Sequence, residues 1–146
     1  MLNLSKFSEK LKEYMDERNI SAPALAKIIG TDRTNVTRYL RGERAPRYDC
    51  FLKLLSFFCC SADYLLGLSD YPSERELKDA QPFCERFRFV LSYGKKTQYR
   101  LERDLHISGS SVCHWLAGKT FPSLANLVNV AEYIQCTVDF LLGRED

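Results

Sequence analysis

The chain has 146 residues, of which 45% are hydrophobic, 12% aromatic and 27% charged, with 7 Gly and 5 Pro. That composition supplies packed cores and excludes a disordered or collagen-like chain. With 21 basic against 19 acidic residues the net charge is only +2, a weak credential for a polyanionic partner when taken over the whole chain.

In chain order, Met1 to Lys12 alternates polar and apolar residues without the apolar block of a signal peptide. Leu4, Phe7, Leu11 and Tyr14 recur at helical spacing, so a first helix is expected behind Asn3 or Ser5. Ser21 is an N-cap for a second helix in which Leu25, Ile28 and Ile29 face inward, and Pro23 is tolerated in its first turn. Gly30 supplies a left-handed turn. Asp32 caps a third helix to about Leu40, Gly42 stops it, and Pro46 restarts the chain toward a fourth helix near Asp49 to Phe58. A last turn covers Ala62 to Leu66. The longest apolar stretch, Cys50 to Cys60, is broken by Lys53 and Ser56 and is far short of the roughly 20 residues of a membrane span, so it reads as a core helix.

A shift of 76 residues, Phe7 onto Phe83, then lays the second half over the first without a gap. Leu25/Leu101, Val36/Val112, Leu40/Leu116, Gly42/Gly118, Pro46/Pro122, Cys60/Cys136 and Asp63/Asp139 are identical pairs, and Leu65-Leu66-Gly67 falls on Leu141-Leu142-Gly143. Tyr39/Trp115 and Tyr64/Phe140 keep their character. The expectation is an all-α chain of two five-helix units, 1–67 and 83–146, with a polar linker over 68–82 and one short helix inside it from Ser73 to Ala80. Fifteen linker residues reach at most about 50 Å.

The stretches SAPALAKIIGTDRTNVTRYLRGE (21–43) and TQYRLERDLHISGSSVCHWLAGK (97–119) resemble the helix-turn-helix domain of the phage repressor and Cro (XRE-like) family, and the closing SADYLLG and TVDFLLG segments are similar to its last helix. The resemblance implies two lambda-repressor-like domains in tandem, each with a third helix for the major groove of double-stranded DNA. On a helical wheel Val36, Tyr39 and Leu40 form the inner side of the first of these helices, leaving Thr34, Thr37, Arg38 and Arg41 outward with Arg33 at the edge. By the resemblance, Arg33, Thr34, Thr37 and Arg38 read bases, as do Ser110 and His114 in the second unit. Ser21, Arg41, Arg44, Arg47, Thr97, Gln98 and Lys119 then grip phosphate, with Gln98 also bracing the recognition helix. Arginine in such a place pairs with guanine through two hydrogen bonds. Five arginines between 33 and 47 face one acid, Glu43, once the cap Asp32 is set aside, and this cluster speaks against an ordinary solvated helix face. The second unit has Gly109, Ser110, Cys113, His114 and Ala117 on the corresponding face, none permanently charged. The first unit is therefore expected to dominate, with the second making a weaker contact or a protein interface.

Other chemistries find little footing. The cysteines contain no C-x-x-C pair, so they read as free thiols of a reducing compartment, and His106 and His114 lack a neighbour at ligand spacing, so no metal is expected. Trp115 and Tyr39 lie on inner faces and read as core; Cys60 and Cys136 do too, whereas Cys113 is expected at the surface. No phosphate loop or nucleophile elbow is present, so neither catalysis nor a cofactor is expected. Together these readings describe a cytoplasmic, bacterial or phage-borne transcriptional regulator acting on a DNA operator, with a homodimer as a further partner. The alternative is a protein-interaction or antitoxin-like module whose second helix-turn-helix no longer reads DNA. The +2 divides as +3 over 1–67, −2 over 68–82 and +1 over 83–146.

Overall fold

The computed structural model describes all 146 residues, as ten helices without a strand. They fall into two compact units, Leu2–Glu76 and Leu77–Asp146. In the first, α1 (Leu4–Arg18), α2 (Ala22–Ile29), α3 (Arg33–Leu40), α4 (Tyr48–Phe58) and α5 (Ala62–Leu65) follow one another. The second repeats the order with α6 (Phe83–Tyr93), α7 (Gln98–Leu105), α8 (Gly109–Leu116), α9 (Leu124–Ile134) and α10 (Val138–Leu141).

The helix starts are fixed locally by side-chain oxygens that accept the orphan amide protons of a first turn. Asn3 accepts from Lys6, Ser21 from Ala24 and Asp32 from Asn35. Thr97, Ser108, Ser123 and Thr137 do the same in the second unit. Between α2 and α3 the chain turns through Gly30 at φ +77°, whereas His106 takes the equivalent place at φ +54°, a conformation that costs a non-glycine residue about 1 kcal/mol.

Each core is built by contacts among helices both adjacent and distant in the chain. In the first unit α3 packs on α1 and α2, α2 on α4, and α1 on α5. Phe7, Leu25, Ile29, Val36, Phe51 and Leu65 are fully buried there. Ser8 on α1 donates to the Tyr39 carbonyl at 2.6 Å and to the Leu4 carbonyl at 2.8 Å, so the C-terminal end of α3 is anchored to α1. In the second unit Phe83, Phe87 and Trp115 form an aromatic cluster with centroids 5.3 to 6.4 Å apart. Its C-terminus is held by Arg86, which donates to the Phe140 and Glu145 carbonyls, and by a buried Arg144–Asp139 pair at 2.6 Å.

Four sequence expectations need correction. Ile28 is 42% exposed, because α2 buries only Leu25, Ala26 and Ile29. Leu40, the last residue of α3, and Cys136, just past α9, are half-buried rather than core. No helix forms from Ser73 to Ala80. Within it the Lys78 amide donates to the Arg144 carbonyl, and just past it the Gln81 amide donates to the Leu142 carbonyl, so this stretch bonds to the C-terminal residues and not to itself. At the other end Leu68 and Ser69 donate to the Asp63 carbonyl. Residues 68–82 are therefore not a 15-residue tether. The part without backbone bonds to the rest of either unit is residues 70–77, which spans at most about 28 Å.

Candidate nucleic-acid interface

The outward face of the first unit starts from α3. Val36 and Tyr39 are buried at 0% and 2%, which turns Arg33, Thr34 and Arg38 into solvent and leaves Thr37 half-exposed. The Thr37 hydroxyl donates back to the Arg33 carbonyl at 3.0 Å, so as a base contact it remains an acceptor. Arg41 caps the helix and is exposed, as are Arg44 and Arg47 in the loop that follows. All five arginines thus belong to one helix and its exit loop.

Beside α3 a polar cleft of about 350 Å³ is lined by Asp32, Asn35, Tyr39, Arg44 and Arg47. Asn35 organises it. Its amide donates to Thr31 Oγ1 at 2.8 Å, and its carbonyl oxygen accepts from Arg44 at 3.2 Å. Arg47 is oriented by Asp49 at 3.4 Å. Burial pushes the Tyr39 phenol above its ordinary value, while Thr31, Arg44 and Arg47 pull it part of the way back. The arginine heads are thus held by neutral or single acidic partners and keep an excess of positive charge for an incoming anion. Ser21, expected to grip phosphate, is exposed at the start of α2, where its hydroxyl oxygen accepts from the Ala24 amide, a bond that does not use the hydroxyl proton a phosphate would take.

Asp32 is the one acid at the start of α3. Asp32→Ala is expected to cost about 1 kcal/mol in urea denaturation followed by circular dichroism, through loss of the N-cap bond to Asn35. Duplex affinity, measured by fluorescence anisotropy, should stay level or tighten, since a negative charge leaves the face.

The second unit places its expected residues differently. Ser110 and His114 are exposed on α8, Thr97 caps α7, and Lys119 is exposed after α8. Gln98 does brace the helix, donating to Cys113 Sγ at 3.2 Å, but the same amide nitrogen also donates to Glu102 at 2.9 Å. The five positions that carry arginine in the first unit are here Gly109, His114, Ala117, Thr120 and Ser123. Asn35 and Glu102 were missed by sequence reasoning. Asn35 falls between the inner and outer faces of the wheel, while Glu102 had a signal in the repeat, where it stands opposite Ala26.

Compared with known proteins, residues 11–65 match the helix-turn-helix family. The matched segment runs from within α1 to the end of α5; no family match falls on the second unit. Neither the curated proteins nor the solved structures contain a match to the chain. No helix is long and apolar enough to cross a membrane.

Proposed function

We infer that this protein is a non-enzymatic, repressor-like transcriptional regulator that binds double-stranded DNA sequence-specifically, with α3 of the first unit in the major groove. The observation that carries this reading is the exposed cluster of Arg33, Arg38, Arg41, Arg44 and Arg47 on α3 and its exit loop, within the segment that matches the helix-turn-helix family. A major groove admits one helix, whose outward side chains meet base edges while flanking cations meet the backbone. Arg33, Thr34, Thr37 and Arg38 suit the first task. Arg41, Arg44 and Arg47 suit the second. The second unit, with the same succession of helices but no arginine on that face, contributes less to affinity.

A second role for that unit is favoured by a separate observation. Phe89 and Tyr93 on α6 are 50% and 62% exposed and lie 6.3 Å apart, where the first unit carries Glu13 and Glu17. A cleft of about 490 Å³ beside them is lined by Cys84, Arg88 and Leu116 among others. An aromatic face of this kind suits a protein partner, a second copy of this chain included, better than a phosphate backbone.

Selection of bound duplexes from a random pool by the full chain, followed by titration of the enriched sequence at several salt concentrations, tests the reading. Neutralisation of about three phosphates by Arg41, Arg44 and Arg47 gives a log–log salt slope of about −3. Lack of enrichment, with binding indifferent to salt, would leave the protein-interaction module as the better account.

A further inference from the structure

The two units differ most sharply at the start of the outward helix. In the first, Ala26 is buried behind α3 at 3% exposure and Arg33 opens the helix in solvent. In the second, Glu102 stands in the place of Ala26 and Gly109 in that of Arg33. These two exchanges fit each other. A Cβ added to Gly109 would lie 3.2 Å from Glu102 Oε2 and 3.4 Å from Oε1, so the carboxylate rests against the first residue of α8 in space that a side chain there would claim. It is tied from its own helix by Gln98, whose amide bonds both Glu102 and Cys113.

The first turn of a helix carries unsatisfied amide protons and partial positive charge, which draw anions, phosphate among them. At α8 an internal anion stands beside that end. The Gln98 donor, which would otherwise point to an incoming backbone oxygen, is already shared between Glu102 and Cys113. None of the first unit's five arginines has a counterpart on this face, because Gly109, His114, Ala117, Thr120 and Ser123 fill the five positions and leave Lys119, after the end of α8, as the cation assigned to it.

We propose that Glu102 closes the second unit to nucleic-acid phosphate: its carboxylate lies against the first residue of α8, engages Gln98 and repels the DNA backbone, confining duplex contact to the first unit. The proposal rests on the first unit being the DNA-binding one. A merely structural Glu102, supporting α7 through its bond to Gln98, predicts a change in stability when it is replaced and none in affinity for anions.

Two replacements in the full chain separate these accounts. Glu102→Gln keeps the shape and an acceptor for Gln98 but loses the charge, and Glu102→Ala installs the residue of the first unit. Each is made in the natural chain and in a chain whose first unit is silenced by R38A/R44A/R47A. Titrated with a 30-base-pair duplex of arbitrary sequence at low salt, both replacements should tighten binding of the silenced chain by about fivefold or more and steepen its salt slope by about one contact. Titration with inorganic phosphate should shift the amide resonances of Gly109 and Ser110 in Glu102→Gln and leave them still in the natural chain. Unchanged affinity and unmoved amides in both replacements, with Trp115 emission showing a folded second unit, would overturn the proposal. Failure of the first-unit reading looks different. The silenced and unsilenced chains would then bind the duplex equally whatever stands at position 102, and the phosphate titration would still decide the role of Glu102.

Discussion

Arg38→Ala is expected to weaken binding of the selected duplex by about 10- to 100-fold, and His114→Ala by less than about twofold. The first figure follows from the worth of an arginine paired with guanine, about 1–3 kcal/mol of discrimination. Arg38 is exposed one turn into α3, no ion pair holds it, and the backbone beneath it is anchored by Val36, Tyr39 and the Ser8 bond to the Tyr39 carbonyl. Its loss therefore removes a directed contact without disturbing the helix. His114 has the same place on α8, but an imidazole cannot make the two-pronged pair that arginine makes with guanine and carries no permanent charge. Arg44→Ala differs in kind from Arg38→Ala. It should weaken all duplexes alike and reduce the salt slope by about one, because Arg44 lies in the exit loop and is oriented by Asn35 rather than by the groove-facing side of α3. Anisotropy titrations of the three variants on the selected and a scrambled duplex measure both quantities. Comparable losses from Arg38→Ala and His114→Ala would show that both units read DNA and would remove the asymmetry on which the functional reading stands.

Most of the helical architecture was legible because it is written in local signals. Asn3, Ser21, Asp32 and Thr97 announce helix starts by chemistry that acts within three residues, and the same side chains accept the expected amide protons in the structure. The inner faces of α3 and α8 were legible for a related reason, since Val36, Tyr39, Val112 and Trp115 recur with the helical period and are buried at 3% or less. What escaped was decided by partners distant in the chain. Ser73 to Ala80 has a composition that permits a helix, but the Lys78 and Gln81 amides bond carbonyls of Arg144 and Leu142, more than 60 residues on. Ile28 has the right spacing for the core of α2 and is exposed because neighbouring helices cover only a narrow stripe of so short an element. In the candidate site, the charges could be counted from sequence. Their orientation by Asn35, and the meeting of Glu102 with Gly109 across the turn, depend on how α2 crosses α3 and α7 crosses α8, which residue type alone does not specify.

Phe87→Ala is expected to unfold the second unit while leaving the first able to bind DNA. Phe87 is fully buried and lies 5.3 Å from Phe83 and 5.9 Å from Trp115, centroid to centroid, so truncation leaves a cavity at the middle of the aromatic cluster. Such a change costs about 3–5 kcal/mol, and a unit of about 70 residues has a total stability of about 3.5–10 kcal/mol. A large part of the unit's stability, or all of it, is lost. The chain provides its own reporter, because Trp115 is its single tryptophan and sits 3% exposed in that cluster. In urea, the tryptophan emission of Phe87→Ala should shift to the red at a much lower midpoint than in the natural chain, or before urea is added. Helical circular dichroism should then melt in two steps, with the later step belonging to the first unit. Affinity for the selected duplex should stay within about threefold, since the arginine cluster, its Asn35 organiser and its Ser8 anchor all belong to residues 2–76. A single transition by both probes, with DNA binding lost at the same urea concentration, would mean that the two units fold as one cooperative body and that the first unit's reader depends on the second for its shape.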